Sequence, residues 1–368
     1  MKVLHFYKTY HPDSFGGVEQ VIFQLSESST EYGVEPQVLT VSRSGSNRDI
    51  PVSRHITHKS KMTAEIASNA LSVAAISDFY ELSREVDVVN FHYPWPFMDV
   101  VHFLTRHKKP CVVSYHSDIV RQKGLLQLYK PLMYRFLSSV DAIVVASPAY
   151  TQFSPVLAKY RDKIHVIPYG LDEHSYSQST EAKLEEWRAK LPPKFFLFVG
   201  ALRYYKGLQF LLDAACQTKL PIVIVGSGGV EVDLHAQAMK LGLDSVIFTG
   251  TLPEEDKNAL LELCYGFVFP SHLPSEAFGI SLLEGAMFSK PLISCEIGTG
   301  TTYINIGGQT GLVVPPGDSA ALGEAMLKLW ENPDLAQSLG SAARRRYLEI
   351  FKSSKMASDY AELYRSLL

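Results

Sequence analysis

Short β-branched or aromatic runs alternate with helix-period segments, and the whole pattern occurs twice along the 368 residues. Runs at 3–7, 37–41, 86–91, 111–115, 142–145 and 164–167 predict one set of strands. Runs at 195–199, 222–225, 246–249, 266–269, 291–294 and 311–314 predict a second. Strands separated by helices cross over to parallel neighbours rather than closing hairpins, so each set predicts a doubly wound α/β layer. At roughly 150 residues per domain the length also allows two such layers.

The stretch 169–193 is polar, then charged, then Pro192-Pro193, and reads as a linker. It places an N-terminal domain at 1–178 and a C-terminal domain at 179–352. Helix-period segments follow at 318–330, with Asp318 as N-cap, at 333–347 and at 353–368. The last of these comes after a complete sheet and can pack back onto the first domain. Two Rossmann-like domains in series carry their crevices at the carboxyl ends of their strands, which predicts a shared ligand in an interdomain cleft.

Charge narrows the partners. Before Ser179 there are 18 basic and 17 acidic residues, and from Ser179 onward 17 and 21, so the halves carry about +1 and −4. Neither is the basic footprint of a nucleic-acid binder, and small molecules become the default ligand. Cys111, Cys216, Cys264 and Cys295 are scattered through apolar runs without zinc spacing, as reduced core thiols are. The first residues turn polar too soon for a signal peptide, and no run of 18 apolar residues occurs. These features predict a cytoplasmic protein.

Chemistry is expected in the loops that follow strands. Gly16-Gly17 open a helix after the first strand, where backbone N–H groups can approach a phosphate. His116 sits where the 111–115 strand meets its loop, and an imidazole there can hydrogen-bond a sugar hydroxyl or support charge near neutral pH. Arg203 and Lys206 lie three apart at a strand-to-helix junction and suit a pyrophosphate leaving group. Gly226-Ser227-Gly228-Gly229 reads at least as well as a simple loop. The segment 270–285 holds Glu276 and Glu284. With a helix beginning near Phe278 they stand on the order of 12 Å apart, beyond the roughly 5 to 9.5 Å of a hydrolase acid and base. That spacing suits a long ligand with hydroxyls at both ends, with the N–H groups of Phe278, Gly279 and Ile280 facing its middle. For each of these features the bland alternative is a turn, a buried histidine or solvated charge.

Taken together these residues resemble the retaining glycosyltransferases of family 4, which have the GT-B fold. Gly16-Gly17-Val18-Glu19 is similar to the family's glycine loop, His116 to its donor-sugar histidine, Arg203 with Lys206 to its pyrophosphate pair, and Glu276 to Glu284 to its Glu-x7-Glu motif. The resemblance implies that Glu276 binds donor-sugar hydroxyls, Glu284 the ribose, and Arg203 and Lys206 the diphosphate. It places Gly17 where acceptor and phosphate meet, and His116 beside the sugar. Ser117 separates His116 from Asp118, a departure from the commoner family form, so no base role passes to Asp118.

The resemblance further implies a same-face displacement without cofactor or metal, and no Asp-x-Asp triplet occurs. The segments 5–20 and 114–124 resemble bacterial mannosyl- and rhamnosyltransferases of O-antigen and other surface polysaccharides. GDP-mannose is then the expected donor and a growing glycan the acceptor. The cationic, leucine-rich segment 121–136 reads equally as a helix lying on the inner membrane and as an ordinary interdomain or core helix, and a lipid-linked acceptor would favour the first. The competing readings are a GT-B sugar-nucleotide 2-epimerase, which would convert donor without acceptor, and a non-catalytic sugar-binding protein.

Overall fold

The computed structural model describes every residue except 45–48, 67–68 and 120–122, together with the side chains of Lys123 and Leu125. The chain forms two compact units, Met1–Gly170 with Ser353–Leu368, and Leu171–Lys352.

The first unit contains β1 (Lys2–Phe6), β2 (Glu35–Ser42), β3 (Ile50–Val52), β4 (His55–Lys61), a small hairpin of β5 (Ala64–Ile66) and β6 (Asn69–Leu71), then β7 (Val88–Tyr93), β8 (Cys111–Tyr115), β9 (Ala142–Val145) and β10 (Ile164–Val166). Its main sheet runs β10-β9-β8-β7-β1-β2-β4-β3 and is parallel except for β3 against β4. The central strands are buried on both faces, which is why they read as largely apolar runs, the polar residues within them, Asn90, His92 and Ser114, being buried and hydrogen-bonded. The strand β4 was not evident in the sequence because its inward residues are polar. His55 meets the Tyr10 hydroxyl at 2.9 Å and Lys59 pairs with Asp13 at 2.5 Å, so these groups are buried but satisfied.

The second unit contains β11 (Phe196–Val199), β12 (Ile222–Val225), β13 (Val246–Gly250), β14 (Gly266–Phe269), β15 (Leu292–Cys295) and β16 (Gly311–Val314). The order β13-β12-β11-β14-β15-β16, parallel throughout, is the doubly wound arrangement that reverses direction between β11 and β14. The Asp318 carboxylate accepts from the Ala321 N–H at 2.9 Å and opens the helix Ser319–Glu331.

Two features of the linker region differ from the sequence reading. The boundary falls at Gly170/Leu171, ahead of 178/179, because Leu171 already belongs to the second unit. Its N–H donates to Phe351 O at 2.9 Å and its carbonyl accepts from the Tyr347 hydroxyl at 2.9 Å. The charged part of the stretch is the helix Glu181–Lys190, capped by the Thr180 hydroxyl and anchored by the buried Trp187. The terminal helix Ser353–Ser366 belongs to the first unit. Its Tyr360 and Tyr364 hydroxyls bond Ser114 at 2.8 Å and Asn90 at 2.7 Å, on β8 and β7.

Candidate active site

In the second unit the reversal of strand order sends the loops after β11 and β14 to opposite sides and opens a crevice at their carboxyl ends. The first loop carries Arg203 and Lys206, the second Glu276. Lys206 Nζ lies 2.5 Å from Glu276 Oε2, and each side chain is only 11% exposed. Ser271 Oγ donates to the same oxygen at 3.1 Å, and Lys206 also sits 4.7 Å above the Phe269 ring. The close approach depends on Gly207. Its φ is +70°, and a Cβ there would stand 2.0 Å from the Pro270 carbonyl oxygen. Arg203 is exposed and lies outside the ion pair, as N-cap of the short turn Tyr204–Lys206. The 226–229 loop braces this region from the backbone, with the Leu202 N–H donating to Ser227 O at 2.9 Å.

The helix carrying Glu284 is Ile280–Met287, with Gly279 at its N-cap and a φ of +99°. It therefore starts two residues beyond Phe278, and Glu284 lies just over one turn inside it. The separation expected from a helix starting near Phe278 does not apply, because residues 276–279 are not helical. Phe278 is buried, with its ring edge toward Phe351, and Ile280 is partly exposed. Glu284 is buried, and its Oε1 accepts from the Tyr176 hydroxyl at 2.9 Å and from Lys257 Nζ at 2.8 Å. Burial alone would lower the Lys257 pKa, but Glu284 and Glu254 outweigh it and hold the ammonium charged. Burial, reinforced by the Glu284 charge, pushes the Tyr176 hydroxyl well up, so Tyr176 acts as a neutral donor. A cavity of about 530 Å³ in this unit, lined by Glu262, Phe288 and Arg344 among others, takes in neither Lys206 nor Glu276 nor Glu284.

In the first unit Gly16 and Gly17 are exposed where the helix Gly17–Ser29 begins. Gly16 has no side chain to cap the helix, and Glu19 ties the preceding loop to it instead. The Glu19 carboxylate accepts from Thr9 Oγ1 and Ser14 Oγ, both at 2.8 Å. Asp13 fixes the same loop to the sheet through Lys59 and Ser42.

His116 follows β8, and its N–H donates to Tyr93 O at 3.0 Å. Both ring nitrogens are engaged, Nε2 with His92 Nδ1 at 2.9 Å and Nδ1 with the Tyr169 hydroxyl at 2.5 Å. Burial lowers its pKa to about 3, so the expectation of an imidazole titrating near neutrality is corrected to one held neutral. Asp118 accepts from the Tyr115 hydroxyl at 2.5 Å and from Ser154 Oγ at 2.9 Å, which makes it a clamp for the loop.

Residues 15–175 match the family model described as Glycosyltransferase Family 4, and residues 179–346 match that of Glycosyl transferases group 1. Similar proteins include the D-rhamnosyltransferase WbpZ of Pseudomonas aeruginosa, 56% identical over 95% of this chain and 92% of its own. The O-antigen chain mannosyltransferase C of Escherichia coli is 49% identical over 100% of this chain and 99% of its own. The chain belongs to these glycosyltransferases, a family 4 domain followed by a group 1 domain. Sucrose-phosphate synthase from Thermosynechococcus elongatus shares the fold at a TM-score of 0.82 and 20% identity, covering 100% of this chain and 98% of that one. The glycosyltransferase thus has the GT-B fold of two Rossmann-like domains.

Sequence reasoning singled out Lys206 and Glu276 separately, without their ion pair, and missed the partners that hold the other groups. Lys257 neutralises Glu284 and Tyr176 donates to it, Ser271 orients Glu276, and His92 and Tyr169 bracket His116. Each is a common residue in an unremarkable run, visible only once the strands are ordered. Among the described residues, His102, His107 and Cys111 are the group able to hold a metal, with ligand atoms within 4.8 Å of one another. They lie at the amino end of β8, the other end of the strand from His116. His102 Nδ1 and His107 Nε2 lie 3.0 Å apart and bond each other, while His107 Nδ1 is buried without a hydrogen-bond partner.

Of the segment 121–136, residues 121–122 lie outside the described residues. The helix Lys123–Ser139 buries Met133, Phe136 and Leu137 and leaves Leu128 exposed. No described helix of the glycosyltransferase is long and apolar enough to cross a membrane.

Proposed function

We propose that this glycosyltransferase moves a hexosyl unit, mannose from GDP-mannose, onto a growing surface glycan such as lipopolysaccharide O-antigen, with retention and without a metal. The relatives named for D-rhamnosyl and O-antigen mannosyl transfer support the sugar and acceptor class, one of them along the whole chain. The observation that carries the donor assignment is the buried Lys206–Glu276 pair at the strand-order reversal of the second unit. A cation and a hydroxyl acceptor held side by side suit a diphosphate joined to a sugar.

In this reading Lys206 and Arg203 take the diphosphate, Glu276 the sugar hydroxyls and Glu284 the ribose. The N–H groups around Phe278, Gly279 and Ile280 face the phosphates, and Gly16 and Gly17 serve the acceptor side in their own unit. Donor binding exchanges the Glu276 contact of Lys206 for phosphate oxygen, so charge is already in place as the leaving group becomes more anionic. That charge does the work a divalent ion does elsewhere. The departing phosphate oxygen takes the acceptor proton on the same face as the new bond. In its own unit His116 serves a sugar hydroxyl, which replaces Tyr169 at its Nδ1. A lipid-carried acceptor brings the enzyme to the cytoplasmic face of the inner membrane, where the exposed Leu128 meets lipid.

A thermal-shift screen of GDP, UDP and ADP sugars in EDTA, followed by transfer assays with radiolabelled donor, tests the reading. GDP-mannose is expected to stabilise the enzyme and to be consumed in EDTA with an acceptor present. Turnover of a UDP or ADP sugar in its place, or turnover restored only by a divalent metal, overturns it.

A further inference from the structure

We infer that His5 and His92 are positioning residues that fix the tautomer and ring plane of His116 through a buried series of imidazoles. The inference rests on the role given to His116 above and adds how that role is set.

The strands β1, β7 and β8 are neighbours, and His5 lies in the first, His92 in the second and His116 just past the third. His5 Nδ1 lies 3.1 Å from His92 Nε2, and His92 Nδ1 lies 2.9 Å from His116 Nε2. The His92 and His116 rings have their centroids 5.2 Å apart and only 10° between their planes, as an in-plane N–H···N bond requires, and the Tyr169 hydroxyl closes the series at His116 Nδ1. His5 and His92 are fully buried and His116 nearly so. Burial pushes His5 and His116 down to about 3 and His92 well below its ordinary value, so all three rings are neutral.

A neutral imidazole has one N–H and one bare nitrogen. Three of them in series therefore admit only two proton arrangements, because fixing one bond fixes the rest. In the first, Tyr169 donates to His116, His116 to His92 and His92 to His5, which leaves an N–H on His5 Nε2. In the second, His5 donates to His92, His92 to His116, and His116 Nδ1 presents its N–H toward the Tyr169 oxygen. His5 Nε2 is buried and has no hydrogen-bond partner. A buried N–H without an acceptor is rare in folded proteins, and the second arrangement avoids one by leaving His5 Nε2 bare, with the Tyr169 O–H donating away from His116. His116 is thereby held as an Nδ1–H donor aimed at the place where a sugar hydroxyl oxygen replaces Tyr169. Neither His5 nor His92 needs to touch the substrate, because each acts through the next ring.

The test is long-range proton–nitrogen correlation NMR on enzyme labelled with nitrogen-15 histidine, with transfer kinetics on the same samples. In the wild type, His116 is expected to show a protonated Nδ1 and a bare Nε2. His92→Phe keeps a ring but loses both nitrogens. It should give His116 a mixture of tautomers and lower kcat about tenfold or more with donor KM nearly unchanged, the mark of lost orientation. His92→Asn, whose amide can still donate to His116 Nε2, should restore the tautomer and most of kcat. A folded His92→Phe with unchanged tautomer and wild-type kcat overturns the inference. If His92→Phe fails to fold, His5→Phe is judged by the same two readouts. His116→Ala separates the two levels. Full transfer in that variant sinks the role of His116 in the proposed function. Transfer lost there but intact in His92→Phe sinks the imidazole series alone.

Discussion

Replacing Lys206 with Met keeps an unbranched side chain one atom shorter but leaves Glu276 without its cation. The pair is 2.5 Å long and both side chains are nearly nine-tenths covered, so water offers Glu276 little compensation. Removing one partner of a buried pair costs about 3–5 kcal/mol. Ser271 still donates to the carboxylate, which puts the expected cost at the lower end, about 3 kcal/mol. For a domain of this size that is a fall in Tm of roughly 6–12 °C. The double variant Lys206→Met/Glu276→Gln removes both charges and should recover most of that loss. Activity should behave differently. A lost charged contact to the diphosphate is worth about 1.5–3 kcal/mol, or roughly a 10- to 150-fold fall in kcat/KM. The double variant should stay slow despite its regained stability. Calorimetry and radiolabelled transfer on the same preparations make the comparison. The reasoning fails if the single variant turns over within about threefold of wild type, or if the double variant regains turnover along with Tm.

Tyr176→Phe removes the neutral donor from Glu284 while Lys257 remains, and donor KM should rise several-fold with little change in kcat; an unchanged KM would detach Glu284 from the ribose. Gly207→Ala places a methyl group 2.0 Å from the Pro270 carbonyl oxygen at a positive φ and should destabilise the second unit by about 3 kcal/mol or more in urea unfolding. A loss below about 1 kcal/mol would show that the loops separate freely. Burial acts to raise the Asp13 carboxyl, but its bonds to Lys59 and Ser42 outweigh that and hold its pKa below the ordinary value. The unfolded chain then binds the extra proton first. The Asp13 contribution is complete above the ordinary carboxylate range and is lost as pH falls through the lowered pKa. Unfolding of Asp13→Asn between pH 2 and 6 should show a flatter acid limb than wild type, and parallel limbs would refute the linkage.

The central strands were legible because burial on both faces leaves them mostly apolar and β-branched or aromatic, and β8, β9, β12, β14 and β16 have the expected limits. The strand β4 was not legible, because its core-facing His55 and Lys59 are polar and owe their burial to Tyr10, Glu27 and Asp13, which lie far away in sequence. The start of the helix bearing Glu284 was misjudged by two residues because Gly279, at positive φ, carries the chain into it after an irregular turn. Residue types gave Lys206 and Glu276 their chemistry, but only strand order explains their meeting, since β11 and β14 are adjacent across the reversal. The neutrality of His116 was invisible for a related reason. It depends on burial, which lowers the pKa of the imidazole, and a lone histidine in a sequence carries no sign of how deeply the fold will bury it.

The anomeric configuration of the transfer product tests the central claim most directly. With GDP-α-D-mannose and a glycan acceptor in EDTA, the one-bond carbon–proton coupling of the new linkage should report an α-mannoside. A β-mannoside, or no transfer until a divalent metal is added, would contradict the account.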